Sequence, residues 1–229
     1  MTVAQPSNEV KFPHPIPGAP LISRLLMMAV SRYHVIGKHN IPRDEQFLMT
    51  ANHLSYFDVP AIAAALDKQT WLIAFAAKKY KGTLMEPFFR MGSVVWVEQD
   101  SPDRRAIVEA LNLIKAGYNF GIAPEGHRSR TKALLKGTEG AAFLATRANV
   151  QILPVGIWGT ERILKHPRPK VTVVFGKPYR LPEGRAKGEQ LAEYTDRIMC
   201  AIAALLPESY HGVYAGHPLI EEMKTIVRP

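Results

Sequence analysis

The chain has 229 residues, 47% of them hydrophobic, a formal net charge of +9 and a single cysteine. That length and apolar content suffice for one buried α/β core, and the lone Cys200 excludes an intramolecular disulfide and fits a reducing compartment. No apolar run reaches the roughly 20 residues a spanning helix needs, and no secretory signal is evident. The positive charge attracts polyanions, which leaves nucleic acid, anionic lipid headgroups and phosphorylated substrates open. Against nucleic acid, the basic residues are dispersed, with only short clusters such as Lys78-Lys79-Tyr80-Lys81 and no recognisable binding motif. The eight histidines show no metal-ligand spacing, so no metal is expected.

Residues 1–20 carry Pro6, Pro13, Pro15, Pro17 and Pro20, which predicts an extended arm. From Leu21 to Tyr33, Leu21, Ile22, Leu25, Leu26, Met28 and Ala29 share a helical face, with Arg24, Ser31 and Arg32 on the polar side. Such a helix packs on a core or lies on a membrane surface. Gly37 to Glu45 is a turn-rich link, and Gln46 to Ala51 reads as a buried strand. That strand delivers Ala51-Asn52-His53-Leu54-Ser55-Tyr56-Phe57-Asp58, in which an imidazole and a carboxylate stand five residues apart. The pair suits a general base acting near neutral pH and the group that fixes its tautomer. Ser55-x-x-Asp58 equally matches a helix capping box, and both readings can hold together. No G-x-S-x-G elbow occurs, so the hydroxyl that His53 activates is expected to belong to a substrate.

Pro60 to Leu66 is a short apolar helix, and Trp71 to Ala76 a second strand ending at Lys78 and Lys79. Ser93 to Val97 is a third strand, after which Ser101-Pro102-Asp103 caps a helix to about Lys115, with Pro102 at its first position. Asn119 to Ala123 is a fourth strand and opens into Pro124-Glu125-Gly126-His127-Arg128-Ser129-Arg130. A glycine lets backbone approach a ligand and an arginine fork suits a phosphate, so Arg128 is assigned to a phosphate. Glu125 is assigned to a hydroxyl or to orienting that arginine. The competing reading is a solvated turn with a surface Glu–Arg pair. Gly137 to Arg147 is an Ala-rich helix, and Ile152 to Trp158 a strand that Pro154 marks as an edge, a bulge or an irregular site. Lys170 to Phe175 is a further strand, Glu189 to Leu206 a closing helix carrying a buried Cys200, and Pro207 to Pro229 a covering tail. The alternation predicts an α/β domain over 21–206, between the arm 1–20 and the tail 207–229.

Four segments, Asn52-His53-x-x-x-x-Asp58, Gly92-Ser93-Val94-Val95-Trp96-Val97, Pro124-Glu125-Gly126-His127-Arg128-Ser129 and Ile152-Leu153-Pro154-Val155, follow in the order and approximate spacing of one family's motifs. By them the chain resembles the lysophosphatidic acid acyltransferases, or glycerolipid acyltransferases, over about Val35 to Phe175. The resemblance implies a single-domain mixed sheet flanked by helices. It also implies acyl transfer from a thioester on coenzyme A or acyl carrier protein to a hydroxyl of lysophosphatidic acid or a related lysophospholipid, as in phospholipid synthesis. His53 then matches the general base and Asp58 its partner, while Glu125, Gly126 and Arg128 match the motif that holds the acceptor's phosphate. Lys78 resembles a lysine often found after the second strand, and Pro154 belongs to the fourth motif. No cofactor is implied beyond the thioester co-substrate. The expected partners are the donor, the acceptor and an anionic membrane surface, with no nucleic acid, and the expected location is cytoplasmic and peripherally membrane-associated.

Several departures matter. Glu98 and Gln99 stand where an arginine usually follows the second-motif strand, with Arg104 and Arg105 further on. His127 replaces a common threonine and Ala123 a common aromatic, and the short helix stands where many members carry longer membrane segments. The first departure keeps open a different acceptor, an amino lipid or a glycolipid lacking glycerol phosphate. A non-catalytic lipid or acyl-thioester binding protein is the rival from another class; the intact His53 and Asp58 speak against it.

Overall fold

Successive side chains of a strand point to opposite faces of a sheet, and Phe47-Leu48-Met49 shows where that leads here. Phe47 and Met49 enter one buried cluster and Leu48 the other. The computed structural model describes residues 18–67, 70, 72–83, 86, 89, 93–99, 103–182 and 184–229. Most of the proline-rich arm (1–17), Trp71, Gly92 and the Ser101-Pro102 pair therefore lie outside the described residues.

The elements are α1 (Ala19–Val30), β1 (Arg32–Ile36), β2 (Phe47–Ala51), α2 (Asp58–Ala65), β3 (Leu72–Ala77), β4 (Ser93–Val97), α3 (Arg104–Lys115), β5 (Asn119–Ile122), α4 (Gly140–Ala148), β6 (Gln151–Trp158), β7 (Lys170–Phe175), α5 (Glu189–Ala203) and α6 (Leu219–Val227). Among the described residues they build one seven-stranded mixed sheet in the order β1-β7-β6-β2-β5-β3-β4. From β6 to β4 every pairing is parallel; β7 is antiparallel to β6, and β1 is parallel to β7. Met27 of α1 and Ala61 and Ala65 of α2 cover one face with Phe47, Met49, Leu153 and Phe175. Helices α3 to α6 cover the other, over Leu48, Ile73, Phe120 and Ile152. None of the described helices is long and apolar enough to cross a membrane.

The first helix ends earlier than its periodicity predicts. Ser31 turns to extended backbone, and both its N–H and its hydroxyl close on the Met27 carbonyl. Arg32 and Tyr33 thus enter β1, opposite Lys170 and Val171. The helix packs on α2 through Ser23 and Met27, while Leu21 (54% exposed), Ile22, Leu25 (59%), Leu26 and Met28 face outward. Its apolar stripe is therefore not its packing face. Helix α3 is capped by Asp103, whose carboxylate accepts from Ala106 N at 3.1 Å; Pro102, expected at the first helical position, lies outside the described residues. Pro154 lies inside the sheet, not at an edge. The β7 ladder stops at Val155–Phe175, Gly176 N donates to the Pro154 carbonyl, and the chain returns to β6 only at Ile152–Tyr179. A proline tolerated at a break in the ladder is the irregular site its residue type suggests.

The tail is ordered and integral. Ile220, Met223 and Val227 sit at helical spacing and bury α6 against α5. Before α6, two single turns, Glu208–Tyr210 and Gly212–Tyr214, clasp the segment that follows β5. Leu134 N donates to the Tyr210 carbonyl, Val213 N donates to the Leu134 carbonyl, and Gly137 N donates to the Tyr214 hydroxyl at 3.0 Å. Gly212 makes the clasp possible: its φ is +55°, and a Cβ there would lie 2.1 Å from the Leu134 oxygen. Adding a methyl at a positive φ and into a carbonyl destabilises by more than about 1 kcal/mol. Gly212→Ala should therefore lower the urea midpoint of unfolding, and an unchanged midpoint would show that the clasp is slack.

Candidate active site

Parallel neighbours end side by side, so loops that follow β2, β3, β4, β5 and β6 meet along one edge of the sheet. Residue Thr50 of β2 lies opposite Ile122 of β5 and Pro154 of β6, which brings the segments beginning at Asn52 and Ala123 together. The join is made by Glu125. Its Oε1 accepts from His53 N and its Oε2 from Leu135 N, both at 2.8 Å. Ser129 N donates to the His53 carbonyl at 2.8 Å, so the backbone of His53 is held on both sides. Lys132 Nζ reaches the Leu54 carbonyl at 3.0 Å.

His53 Nδ1 lies 2.7 Å from Asp58 Oδ2. That oxygen also accepts from Leu54 N and Ser55 N, while Thr160 Oγ1 donates to Oδ1 at 2.5 Å. A carboxylate at Nδ1 selects the tautomer with its proton there, which leaves the Nε2 lone pair available. The His53 side chain is 28% exposed and Asp58 3%, so the imidazole opens to solvent while the carboxylate that holds it is buried. Only half of the capping box forms: Asp58 reaches back to Ser55 N, but Ser55 Oγ accepts from Phe57 N, and the cap position of α2 is Phe57, which makes no side-chain cap, with Asp58 the first helical residue. One carboxylate starts α2 and fixes the imidazole.

Glu125 is 2% exposed and has both oxygens taken by backbone donors, so it neither faces a ligand hydroxyl nor orients Arg128. The guanidinium of Arg128 stacks instead on Tyr56, 3.8 Å from the ring centre. The Tyr56 hydroxyl lies 2.9 Å from that of Tyr80, and hydrogen bonds from Tyr80 and then Arg128 hold the Tyr56 phenol below its ordinary range. Gly126, at φ +72°, lies where a Cβ would touch Thr138 Cγ2 at 3.6 Å, and its carbonyl accepts from Gln99 Nε2 at 3.4 Å. Lys78 follows β3 on this edge, but its Nζ is bound to Asp103 at 3.1 Å and Glu98 at 3.3 Å. The Asp103 hydrogen bond is the main cause that holds its ammonium above the usual lysine range. Pro154 is buried within β6, short of the edge where the other residues gather.

Sequence reasoning missed Thr160, 102 residues from Asp58, and Lys132, which carry no local signal. It left Asn52 without a role; its amide takes both backbone groups of Ile157, tying the start of the site to β6. Tyr56 stood in plain view between His53 and Asp58.

An imidazole held by a carboxylate at Nδ1, on the same sheet edge as an arginine that no described carboxylate pairs, is an arrangement that can take a proton from a hydroxyl near an anion. The family model for acyltransferases matches residues 32–158, over half the chain, and the protein belongs to that family. It is similar to the 1-acyl-sn-glycerol-3-phosphate acyltransferase of Bacillus subtilis strain 168, with 24% identity over 63% of this chain and 72% of the relative. A protein of the same name from Borreliella burgdorferi is 28% identical over 59% of this chain and 55% of its own length. Among solved structures, the 1-acyl-sn-glycerophosphate (LPA) acyltransferase PlsC of Thermotoga maritima superposes with a TM-score of 0.64 at 28% identity, covering 79% of this chain and 74% of that one.

Burial pushes the Glu125 carboxyl up to about 7 from 4.5, against the backbone bonds from Leu135 and His53 that lower it. The folded protein then holds this proton more tightly than the unfolded chain does, so the group's contribution to stability is full below about 4.5 and lost as pH rises through about 7. Over that window the unfolding free energy of the wild type should fall relative to Glu125→Gln by as much as about 3 kcal/mol. Urea titrations of both proteins from pH 4.5 to 8 measure the difference, and parallel curves would remove Glu125 from the titration.

Proposed function

We propose that the chain moves a fatty acyl group from an acyl thioester, on coenzyme A or acyl carrier protein, to a hydroxyl of lysophosphatidic acid or a related lysophospholipid. The observation that carries this reading is the His53–Asp58 contact at Nδ1 on an imidazole that is partly exposed. His53 Nε2 takes the acceptor's hydroxyl proton as that oxygen attacks the thioester carbonyl carbon. Collapse of the adduct breaks the carbon–sulfur bond, and the imidazolium returns the proton to the departing thiolate. The products are an ester and a free thiol, with no acyl-enzyme and no cofactor beyond the thioester. Arg128 serves the acceptor's phosphate. A neighbouring backbone donor or cation stabilises the carbonyl oxygen as it gains charge.

A second acceptor class has one observation in its favour. Lys78 is drawn to Glu98 and Asp103, which leaves the rim less positive than its lysines suggest and suits an amino lipid or glycolipid without glycerol phosphate. The first test is thiol release from long-chain acyl-coenzyme A, with and without lysophosphatidic acid, in the presence of anionic vesicles. Release that depends on the acceptor and drops at least about 100-fold in His53→Ala, with the unfolding midpoint retained, is the expected outcome. Turnover that survives His53→Ala would end the mechanism, and release that responds only to another lysolipid would select the second acceptor.

The outward stripe of α1 supports a peripheral place on the cytoplasmic membrane face. Leu21, Ile22, Leu25 and Met28 are exposed on a helix packed against α2, whose first residue is Asp58, and the net positive charge favours anionic lipid. Leu25→Glu combined with Met28→Glu should reduce co-sedimentation with anionic vesicles several-fold without shifting the unfolding midpoint. Equal co-sedimentation would turn the stripe over to a different use.

A further inference from the structure

An arginine at a site mouth has long, flexible arms, and ordering them on binding costs affinity. Arg128 is not left to that. Among the described residues no carboxylate pairs with it, because Glu125, three positions earlier, is turned inward. Its guanidinium lies 3.8 Å over the Tyr56 ring. A guanidinium stacked on a ring face keeps edge N–H groups in its own plane, the geometry that grips a phosphate with two parallel hydrogen bonds.

The ring beneath Arg128 is fixed in turn. The Tyr56 and Tyr80 hydroxyls are 2.9 Å apart, and the two rings meet edge to face at 6.2 Å. Tyr80 stacks on Phe89 at 5.1 Å, and Phe89 meets Trp96 of β4 at 6.3 Å. Tyr80 also belongs to the turn Lys78–Tyr80, which Lys78 anchors to Asp103 and Glu98. The aromatic series therefore runs from β4 to the segment that carries both His53 and Asp58.

We propose that Tyr56 and Tyr80 are specificity-determining positioning residues, which mount Arg128 at a set angle to His53 so that an acceptor is selected by its phosphate. On this view the Glu98–Lys78–Asp103 group acts as the foot of the mount. The proposal rests on the reading of Arg128 as the phosphate ligand and deepens it.

The test uses the full chain with Tyr56→Leu, Tyr56→Phe, Tyr80→Phe and Arg128→Ala, and Tyr56→Leu combined with Arg128→Ala. Two quantities are read: KM and kcat for lysophosphatidic acid, and the calorimetric Kd for glycerol 3-phosphate. Tyr56→Leu should raise KM and Kd roughly tenfold, with a smaller fall in kcat, because the stack is removed. Tyr56→Phe and Tyr80→Phe, which keep every ring, should raise Kd roughly threefold. In the Arg128→Ala background Tyr56→Leu should change Kd no further, since nothing remains to be mounted. Additive losses, or a fall in kcat with KM and Kd unmoved in the ring-preserving variants, would overturn the proposal. A wild type that binds glycerol 3-phosphate with this coupling yet never acylates lysophosphatidic acid would sink the proposed reaction and leave the mount standing. Equal binding by wild type and Arg128→Ala, or none by either, would overturn the mount itself.

Discussion

Two backbone N–H groups, one from His53 and one from Leu135, converge on the buried carboxylate of Glu125. The loop after β2 and the loop after β5 belong to neighbouring strands, but strand pairing stops before either reaches the site. Beyond the last ladder bond, a side chain must do what the sheet no longer does, and a carboxylate offers an acceptor to each loop. Burying that charge is unfavourable unless its oxygens are satisfied, and here each one receives a backbone donor. Asp58 repeats the device nearby, collecting Leu54 N, Ser55 N, Thr160 Oγ1 and the imidazole itself. His53 thus stands on two buried carboxylates that reach three strand ends, and its orientation follows from theirs.

Much of this was legible in residue patterns. Strand β2 reads as a buried run, β5 ends where proline and glutamate begin, and the residues joined at the sheet edge include His53, Asp58 and the Pro124-Glu125-Gly126 turn. The contact of His53 with Asp58 could be inferred because their pairing is local, five residues apart. The role of Glu125 could not, because a glutamate followed three positions later by an arginine looks like a pair, and only tertiary burial shows that it faces inward. Thr160 reaches Asp58 across 102 residues, a separation at which no spacing rule operates. The edge strand β1 was hidden behind the helical period of the residues before it, because a single serine at position 31 ends the helix by hydrogen bonding to Met27.

Charge is distributed unevenly around the site. On one side Lys78 is held by Glu98 and Asp103, and backbone bonds from Ala106 and Glu98 hold the Asp103 carboxyl down to about 2, so this group stays charged. On the other side Arg128 keeps its charge unneutralised by any described carboxylate and leans on an aromatic face. A lysine and an arginine on the same edge of the sheet thereby do different work. One is a structural tie between β3 and the start of α3, and the other lies half-buried against Tyr56 with no described carboxylate on it. A strongly basic composition alone does not reveal that difference, since a neutralised cation and an available one count the same.

The clasp of Tyr210, Gly212 and Tyr214 on Leu134 and Gly137 has a consequence in time. Tyr214 is made 77 residues after the Gly137 it holds. During synthesis, Asp58, which holds the imidazole, and Thr160, which bonds the Asp58 carboxylate, both emerge before the brace that steadies the loop carrying Leu135. A growing chain in which β2, β5 and β6 have already paired still lacks that brace, so the nascent protein passes through a stage with a formed sheet and an unfinished site. The surroundings of His53 and Asp58 are in this way completed only when the C-terminal turns have folded back onto the loop that carries Leu135 and Gly137.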